Sequence, residues 1–486
     1  IHQLLLGQLG RAFPRPTLLR IHETSDGNPF LALELASALA RTEAPLRAGE
    51  PFPVPETLEA LVGDRLQTLP EEARSVLVAA TVLADPTVEQ LASGWPNAAD
   101  SLETARREEV ITIERGRVRF THPLLASVLL EQAPPDQRRR LHARLAELVD
   151  DPIEHARHLA LAAERPDPVV AERLDRAAAA VRASGALLAA ADLGELAVRA
   201  TPDEHTKNHG RALQAARDLL AAGAADRARS MAEELLARPN AGPVRAEALM
   251  LLSEVEGDEG LVTSEVELLR AALEEARGTP ELELVIQLRL ATAIRFKEGT
   301  DAGLVHARAA LRLAKGIGED GLLSRALATV AELMLYAGEA GAIARAQRSL
   351  SIASRTRDLD AVDNARWALG CCFTWAGRVN EAREALADAY ASLAGRDDVK
   401  SKLVLWLLAV VELRAGRWDL AREYAQERIE LAEMLGEEDP NASIPLALVA
   451  AYQGEESEAR ALAERGIALA EAADNAFVAG WHRGVL

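Results

Sequence analysis

Eight glycines, at positions 185, 223, 257, 299, 338, 377, 416 and 454, each follow a stretch rich in Ala and Leu, and their successive spacings are 38, 34, 42, 39, 39, 39 and 38 residues. The two odd intervals sum to two normal ones. Five residues after each glycine stands Ala190, Ala228, Val262, Leu304, Ile343, Ala382, Ala421 or Ala459, always apolar and small in five cases of the eight. A glycine takes positive φ at little steric cost and so ends a first helix, while a small residue one turn into the second lets the two helices approach closely. One helix pair cannot bury its own apolar face, and stacking successive pairs does. Residues 151–486 are therefore expected to form a helical solenoid.

The clearest unit runs from Leu403 through Ala415-Gly416-Arg417-Trp418-Asp419-Leu420-Ala421 to Leu435-Gly436, and it resembles a tetratricopeptide repeat lengthened at its helix ends. Composition agrees with helix packed on helix. Hydrophobic residues make up 49% and aromatics only 3%, with Ala and Leu, both strong helix formers, dominating the apolar set. Trp367, Trp375, Trp406, Trp418 and Trp481 read as packing residues of individual repeats, with a concave ligand pocket as the alternative.

A formal net charge of -20 and a pI near 5.1 argue against broad attraction to phosphate backbones. Cys371 and Cys372 are adjacent in an apolar helical pattern, which suits neither a disulfide framework nor a zinc site and points to a reducing cytoplasm. A buried helical pair is favoured over a redox sensor, which needs an exposed, electropositive thiolate. The apolar run from Leu403 to Val411 is far shorter than the ~20 residues that cross a bilayer, so no membrane span is expected. Ile1-His2-Gln3 has no initiator Met or leader pattern and reads as a cut inside a longer protein.

Before the array, residues 56 to 69 and 71 to 84 read as amphipathic helices, with Pro55 in the first turn of one and Pro70 marking the break. Shorter helices are expected near 87 to 93 and 98 to 108. The period then changes to two: Val110-Ile111-Thr112-Ile113 and Arg117-Val118-Arg119-Phe120 flank Glu114-Arg115-Gly116, which suits a tight hairpin turn. Helices resume at 122 to 132 and 135 to 149. Helices followed by a small hairpin make a winged helix. Arg138-Arg139-Arg140 with Arg144 form a compact basic run, read as a solvated helix face, with a phosphate or partner contact as the alternative.

Four segments carry a family resemblance, in order along the chain. Ser25-Asp26-Gly27-Asn28-Pro29-Phe30-Leu31-Ala32-Leu33-Glu34-Leu35 resembles the Gly-Asn-Pro-Phe segment of large ATP-binding LuxR-type transcriptional regulators, the MalT-like group of signal-transduction (STAND) NTPases. Val54-Pro55-Glu56-Thr57-Leu58 with Arg65-Leu66 and Leu69-Pro70, then Arg119-Phe120-Thr121-His122-Pro123-Leu124-Leu125, resemble two further stretches of the same group. Ser184-Gly185-Ala186 through Ala191 to Ala200-Thr201-Pro202 resembles a fourth. The resemblance implies a nucleotide-binding domain, a winged helix, a helical repeat array that senses or relays a signal, and a C-terminal DNA-binding helix-turn-helix, of which this chain holds the middle. Residues 1–50 would be the C-terminal helical end of the NTPase module, 51–150 the winged helix and 151–486 the tetratricopeptide-like array. The fold class expected is all-α, a winged-helix domain with a small β-hairpin followed by an α-solenoid.

The resemblance also implies site residues. Gly27-Asn28-Pro29 would lie against the adenine of a bound nucleotide and His122 would reach its β-phosphate; the alternative for the first is a plain helix N-terminus with Asn28 as cap and Pro29 at the first position, and for the second a helix-start histidine packed behind the wing. No G-x-x-x-x-G-K-[ST] phosphate loop occurs, so no ATP hydrolysis is expected of this chain alone, ATP or ADP being implied for the full-length protein. No helix-turn-helix is recognisable after residue 454, so DNA contact would need a C-terminal domain. His155 and His158, three apart with Glu154 adjacent, lack the i, i+4 spacing and third ligand of a zinc helix, so no metal is expected. The partner expected on the array is an inducer, small molecule or protein, with self-association left open. The competing functional readings are a signal-transduction NTPase attached to a cyclase or kinase and a plain protein-binding scaffold.

Overall fold

The computed structural model describes residues 1–9, 13, 15–41, 53, 55, 66–202, 207–238, 241–258, 261–394, 398–435, 439–472 and 475–486. The chain divides into two compact units, Ile1–Met231 and Ala232–Leu486, so the division falls inside the helical array.

In the first unit, helices His2–Leu9, Arg15–Ser25 and Pro29–Ala40 precede the winged helix. Of the helix expected at 56 to 69, residues 56–65 lie outside the described ones. Helix Glu71–Val82 is followed by Val88–Gly94 and Ala98–Arg107, then by strands β1 (Ile111–Glu114) and β2 (Arg117–Phe120) and helices Pro123–Gln132 and Pro135–Leu148. Thr87 opens the second of these with a reciprocal cap, its hydroxyl accepting from Gln90 N–H while the Gln90 side chain accepts from Thr87 N–H.

The hairpin register pairs Ile111 with Phe120, Ile113 with Val118 and Glu114 with Arg117. The loop is therefore only Arg115-Gly116, and both residues have positive φ, 51° and 79°, as the tight turn matching strand twist requires. Val110 lies just outside the strand, and its carbonyl receives Thr121 N–H at 3.0 Å. A bridge from Thr87 to Arg117 widens the wing. Leu35, Leu77, Leu91, Leu102, Ile111, Leu125 and Leu145 belong to one buried core, so the helix after the Gly-Asn-Pro turn and the winged helix share an interior.

The array is built of the helix pairs the period implied. The first of these are Pro168–Ala183 with Leu187–Arg199 and then Lys207–Ala221 with Ala225–Ala237, the last helix containing the division between units. In the second unit they are Pro243–Asp258 with Val262–Glu275, Pro280–Glu298 with Thr300–Ile317, Asp320–Tyr336 with Ala342–Ala353, Leu359–Trp375 with Val379–Leu393, Asp398–Arg414 with Trp418–Leu435, and Ser443–Gln453 with Glu456–Ala472; a short helix, Ala476–Arg483, follows. This is a tetratricopeptide-like α-solenoid.

Seven of the eight repeat glycines have φ between 70° and 94°. At six of them the next residue's N–H returns to the carbonyl five residues back, as in Ala224 to Leu219 and Arg417 to Glu412, with lengths of 2.8 to 3.2 Å. Gly257 is the exception, and the expectation for it is corrected. It is an ordinary residue of helix Pro243–Asp258, and the equivalent bond there runs from Leu261 to Glu256, so the helix breaks after Gly257. Its shifted phase is the source of the odd 34 and 42 intervals. Of the small residues five after each glycine, Ala190, Ala228, Ala382, Ala421 and Ala459 are buried, whereas Val262 and Ile343 are only partly so.

Ion pairs tie several neighbouring repeats together. Arg182 grips Asp218 through two hydrogen bonds of 2.6 and 2.7 Å, Arg211 grips Asp175, Arg308 reaches Glu339 at 2.6 Å, and Arg422 reaches Glu455 at 2.9 Å. Glu412, buried to 1% exposure, is held by Arg383 at 2.5 Å and Arg417 at 2.6 Å. A buried carboxylate persists only with such partners. Within the second unit consecutive first helices pack on one another, as Asp320–Tyr336 does on Leu359–Trp375.

Candidate nucleotide-sensing turn and its surroundings

Helix Arg15–Ser25 ends in two successive left-handed residues, Asp26 at φ 48° and Gly27 at φ 72°. Gly27 N–H returns to His22 O at 3.1 Å and Asn28 N–H to Ser25 O at 2.9 Å. The chain then reverses into helix Pro29–Ala40, where Asn28 Oδ1 accepts from Phe30 N–H at 3.0 Å and Leu31 N–H at 3.3 Å. Pro29 fills the first position, which has no N–H to satisfy. The cap geometry expected of this segment is present, and the turn leaves Phe30 exposed.

His122 caps a later helix in the same manner. Its backbone is extended, its Nδ1 accepts from Leu124 N–H at 3.1 Å, and Pro123 opens the helix. An imidazole that accepts at Nδ1 carries its hydrogen on Nε2, so half-buried His122 keeps one N–H donor for another partner. Helix Arg15–Ser25 packs against helix Pro123–Gln132. The two caps thus belong to one packed core, and among the described residues no hydrogen bond joins Asn28 to His122.

Several arginines of the winged helix are already engaged by neighbours. On helix Ala98–Arg107, Glu103 receives Arg106 Nε at 2.8 Å and Arg107 Nε at 3.0 Å. The hydrogen bond from Arg106 lowers the Glu103 carboxyl to about 2, leaving this helix self-neutralised. On the wing, Arg117 pairs with Asp85. In the basic run, Arg139 pairs with Asp136 and Arg144 lies over the Trp95 ring at 4.8 Å.

His155 and His158 do not share a site. His155 Nδ1 meets Ala146 O at 2.8 Å and its Nε2 meets Arg173, whereas His158 Nδ1 faces His142 Nδ1 at 2.9 Å. Among the described residues no group of three or more His, Cys, Asp and Glu is arranged to hold a metal. The buried His142–His158 pair was missed in the sequence, its members lying sixteen residues apart on two helices. Burial, then the His158, Arg157 and Arg138 charges, push His142 down to about 3; burial, then Arg157 and His155, push His158 down to about 4.

Cys371 and Cys372 are buried, and burial raises the Cys372 thiol to about 12 and pushes the Cys371 thiol well up from its ordinary value, consistent with the packed-pair reading. The tryptophans make packing contacts: Trp367 donates from Nε1 to Glu332 at 3.3 Å, and Trp481 stands 6.1 Å from Trp375 and 6.2 Å from Trp406, ring centre to ring centre. Among the described residues no helix is long and apolar enough to cross a membrane.

No family model matches the chain, and neither does any curated protein. Among solved structures it is similar to a signal-transduction ATPase with numerous domains that carries a tetratricopeptide repeat sensor, from Pyrococcus horikoshii, at 14% identity over 96% of this chain and 71% of that one, with a TM-score of 0.39. It is also similar to a Rap protein complexed with competence and sporulation factor, at 13% identity over 65% of this chain and 96% of that one, TM-score 0.46. A third is NprR in complex with its cognate peptide NprX, at 16% identity over 56% and 82%, TM-score 0.39. Each is a likeness of helical repeats; the fold assignment rests on this chain's own helix pairs and hairpin.

Proposed function

We propose that this chain is the regulatory and sensor core of an ATP-dependent, LuxR-type regulator of the STAND class, in which the winged helix couples nucleotide state to a repeat array that takes an inducer or protein partner. The observation that supports it most is the shared core: the Gly27-Asn28-Pro29 turn and the His122 cap, two segments of the family resemblance, sit at the ends of helices packed into one interior. A nucleotide contact at either would shift the packing of both. Coupling of this kind requires a ligand that favours one of two arrangements, and an array of stacked repeats supplies many such contacts. The Nε2–H left free by the His122 cap suits a donor to a phosphate oxygen. Hydrolysis itself belongs to a phosphate-loop domain outside this sequence, so the chain alone is proposed to be no enzyme and to need no cofactor.

The test is made in the full-length protein. His122→Ala is expected to weaken ADP retention about tenfold or more and raise basal output, while Asn28→Ala lowers stability by about 1 kcal/mol through loss of the cap. Unchanged ADP affinity and unchanged output in His122→Ala would remove the nucleotide role.

A further inference from the structure

We infer that a row of side chains at the ends of the first helices in the second unit is a docking surface for an extended acidic peptide segment with apolar side chains at about every third position. The inference rests on the sensor reading of the array and names its partner's chemistry. Two residues before Gly338, Gly377, Gly416 and Gly454 stand Tyr336, Trp375, Arg414 and Tyr452, and Phe296 stands three before Gly299. Because consecutive first helices pack on one another, equivalent positions fall side by side.

Apart from half-buried Trp375, which also packs on Trp481, the row is exposed, and its rings are already held in place. Tyr452 is 65% exposed, and Phe296 and Tyr336 are 37% and 38% exposed. The Arg295 guanidinium lies 4.1 Å from the Phe296 ring centre and 4.8 Å from that of Tyr336, Arg414 lies 5.4 Å from Trp375, and Tyr452 stacks on Trp418 at 6.4 Å. Such stacking fixes the rings and reduces the ordering entropy that binding must overcome. Trp, Tyr and Arg are also the residues that dominate binding surfaces.

Charge selects the partner. The arginines that tie neighbouring repeats hold carboxylates at hydrogen-bond distance, as Arg308 holds Glu339 and Arg422 holds Glu455. In the row this is not so. Glu332, the carboxylate beside Arg295, is 3.8 Å away, and Arg295 Nε is buried with no hydrogen-bond partner. Among the described residues Arg414 makes its ring contact and no ion pair. In a chain of net charge -20 exposed Arg414 is a cation with donors to give, and a carboxylate matches it. Helix axes about 10 Å apart place three intervals, Tyr336 to Tyr452, across about 30 Å. An extended chain rising about 3.3 Å per residue covers that in about nine residues, one side chain in three facing each repeat.

A displayed library of random 12-residue peptides, selected against the folded chain, tests this. Enriched peptides should carry Asp or Glu together with apolar residues at about three-residue spacing. Their synthetic forms should bind at least tenfold more weakly to Arg414→Glu and to Tyr452→Ala, both exposed positions whose folding is checked by circular dichroism. Replacing the peptide's acids by Lys should restore binding to Arg414→Glu. Enriched peptides that lack acids, or that bind both variants as well as the parent chain, overturn the row while leaving a peptide-binding array in place. Selection that enriches nothing overturns the row as well, and a nucleotide effect of His122→Ala in the full-length protein is read independently of it.

Discussion

His142 Nδ1 lies 2.9 Å from His158 Nδ1 in a buried contact, so one ring donates, the other accepts, and there is no room for a second proton between them. His158 Nε2 is buried without a partner. This pair makes the folded chain sensitive to acid. Both groups have folded values below the ordinary 6.5, so stability is fully present above pH 6.5 and falls as the pH drops toward 4 and 3, where the unfolded chain binds protons that the folded one refuses. Around pH 5 the pair should contribute uptake of about two protons on unfolding. The check is the slope of unfolding free energy against pH in the parent chain and in His142→Phe/His158→Leu; equal slopes between pH 6.5 and 4 would show that the pair does not carry the effect.

Two glycine substitutions should move stability in opposite directions. Gly416 has φ 71°, so Gly416→Ala forces a left-handed L-residue and should cost about 1–2 kcal/mol. Gly210 lies inside helix Lys207–Ala221 with open space where a Cβ would stand, and Gly210→Ala should gain about 0.5–1 kcal/mol. Urea midpoints for the two variants decide it, and a shared sign would contradict the assigned turn.

Glu412 offers a third measurement. Arg383→Met/Arg417→Met leaves a carboxylate at 1% exposure without its two cations and should destabilise by about 3–5 kcal/mol. Adding Glu412→Leu should recover much of that loss, because an apolar group of similar size no longer needs a partner. Failure of the triple variant to recover would place the effect in arginine packing instead.

The cysteines should be silent in the folded chain. With thiols raised by burial, Cys371 and Cys372 are expected to resist iodoacetamide at pH 8 and to react once the chain is unfolded in denaturant. Mass spectrometry of alkylated native protein gives the answer, and modification at a rate near that of a free thiol would refute the packing.

What could be read from the sequence followed from local chemistry. Positive φ strongly favours glycine, so the turns at 338, 377 and 416 announce themselves. Asn28-Pro29 and His122-Pro123 each join a capping side chain to a proline without an N–H, and both begin helices as expected. Arg115-Gly116 between alternating strands marked the hairpin. Position 257 misled because the sequence holds a second glycine at 260, outside the described residues, and spacing alone does not say which of two nearby glycines ends a helix. The His142–His158 contact and the Arg295 clamp were beyond reach for another reason. Each depends on how two helices cross, and a pairing sixteen or forty-one residues apart leaves no local pattern; only the repeat phase, combined with packing, brings Arg295 beside Tyr336.

The clasps between successive repeats have a mechanical consequence. Arg308 to Glu339, Arg383 to Glu412 and Arg422 to Glu455 each bridge a single interface of the second unit. Tension applied at Leu486 would therefore be carried by these interfaces in series, and the weakest would part first. The second unit would lengthen as a staircase, one repeat per step, each rupture leaving the repeats upstream of it intact.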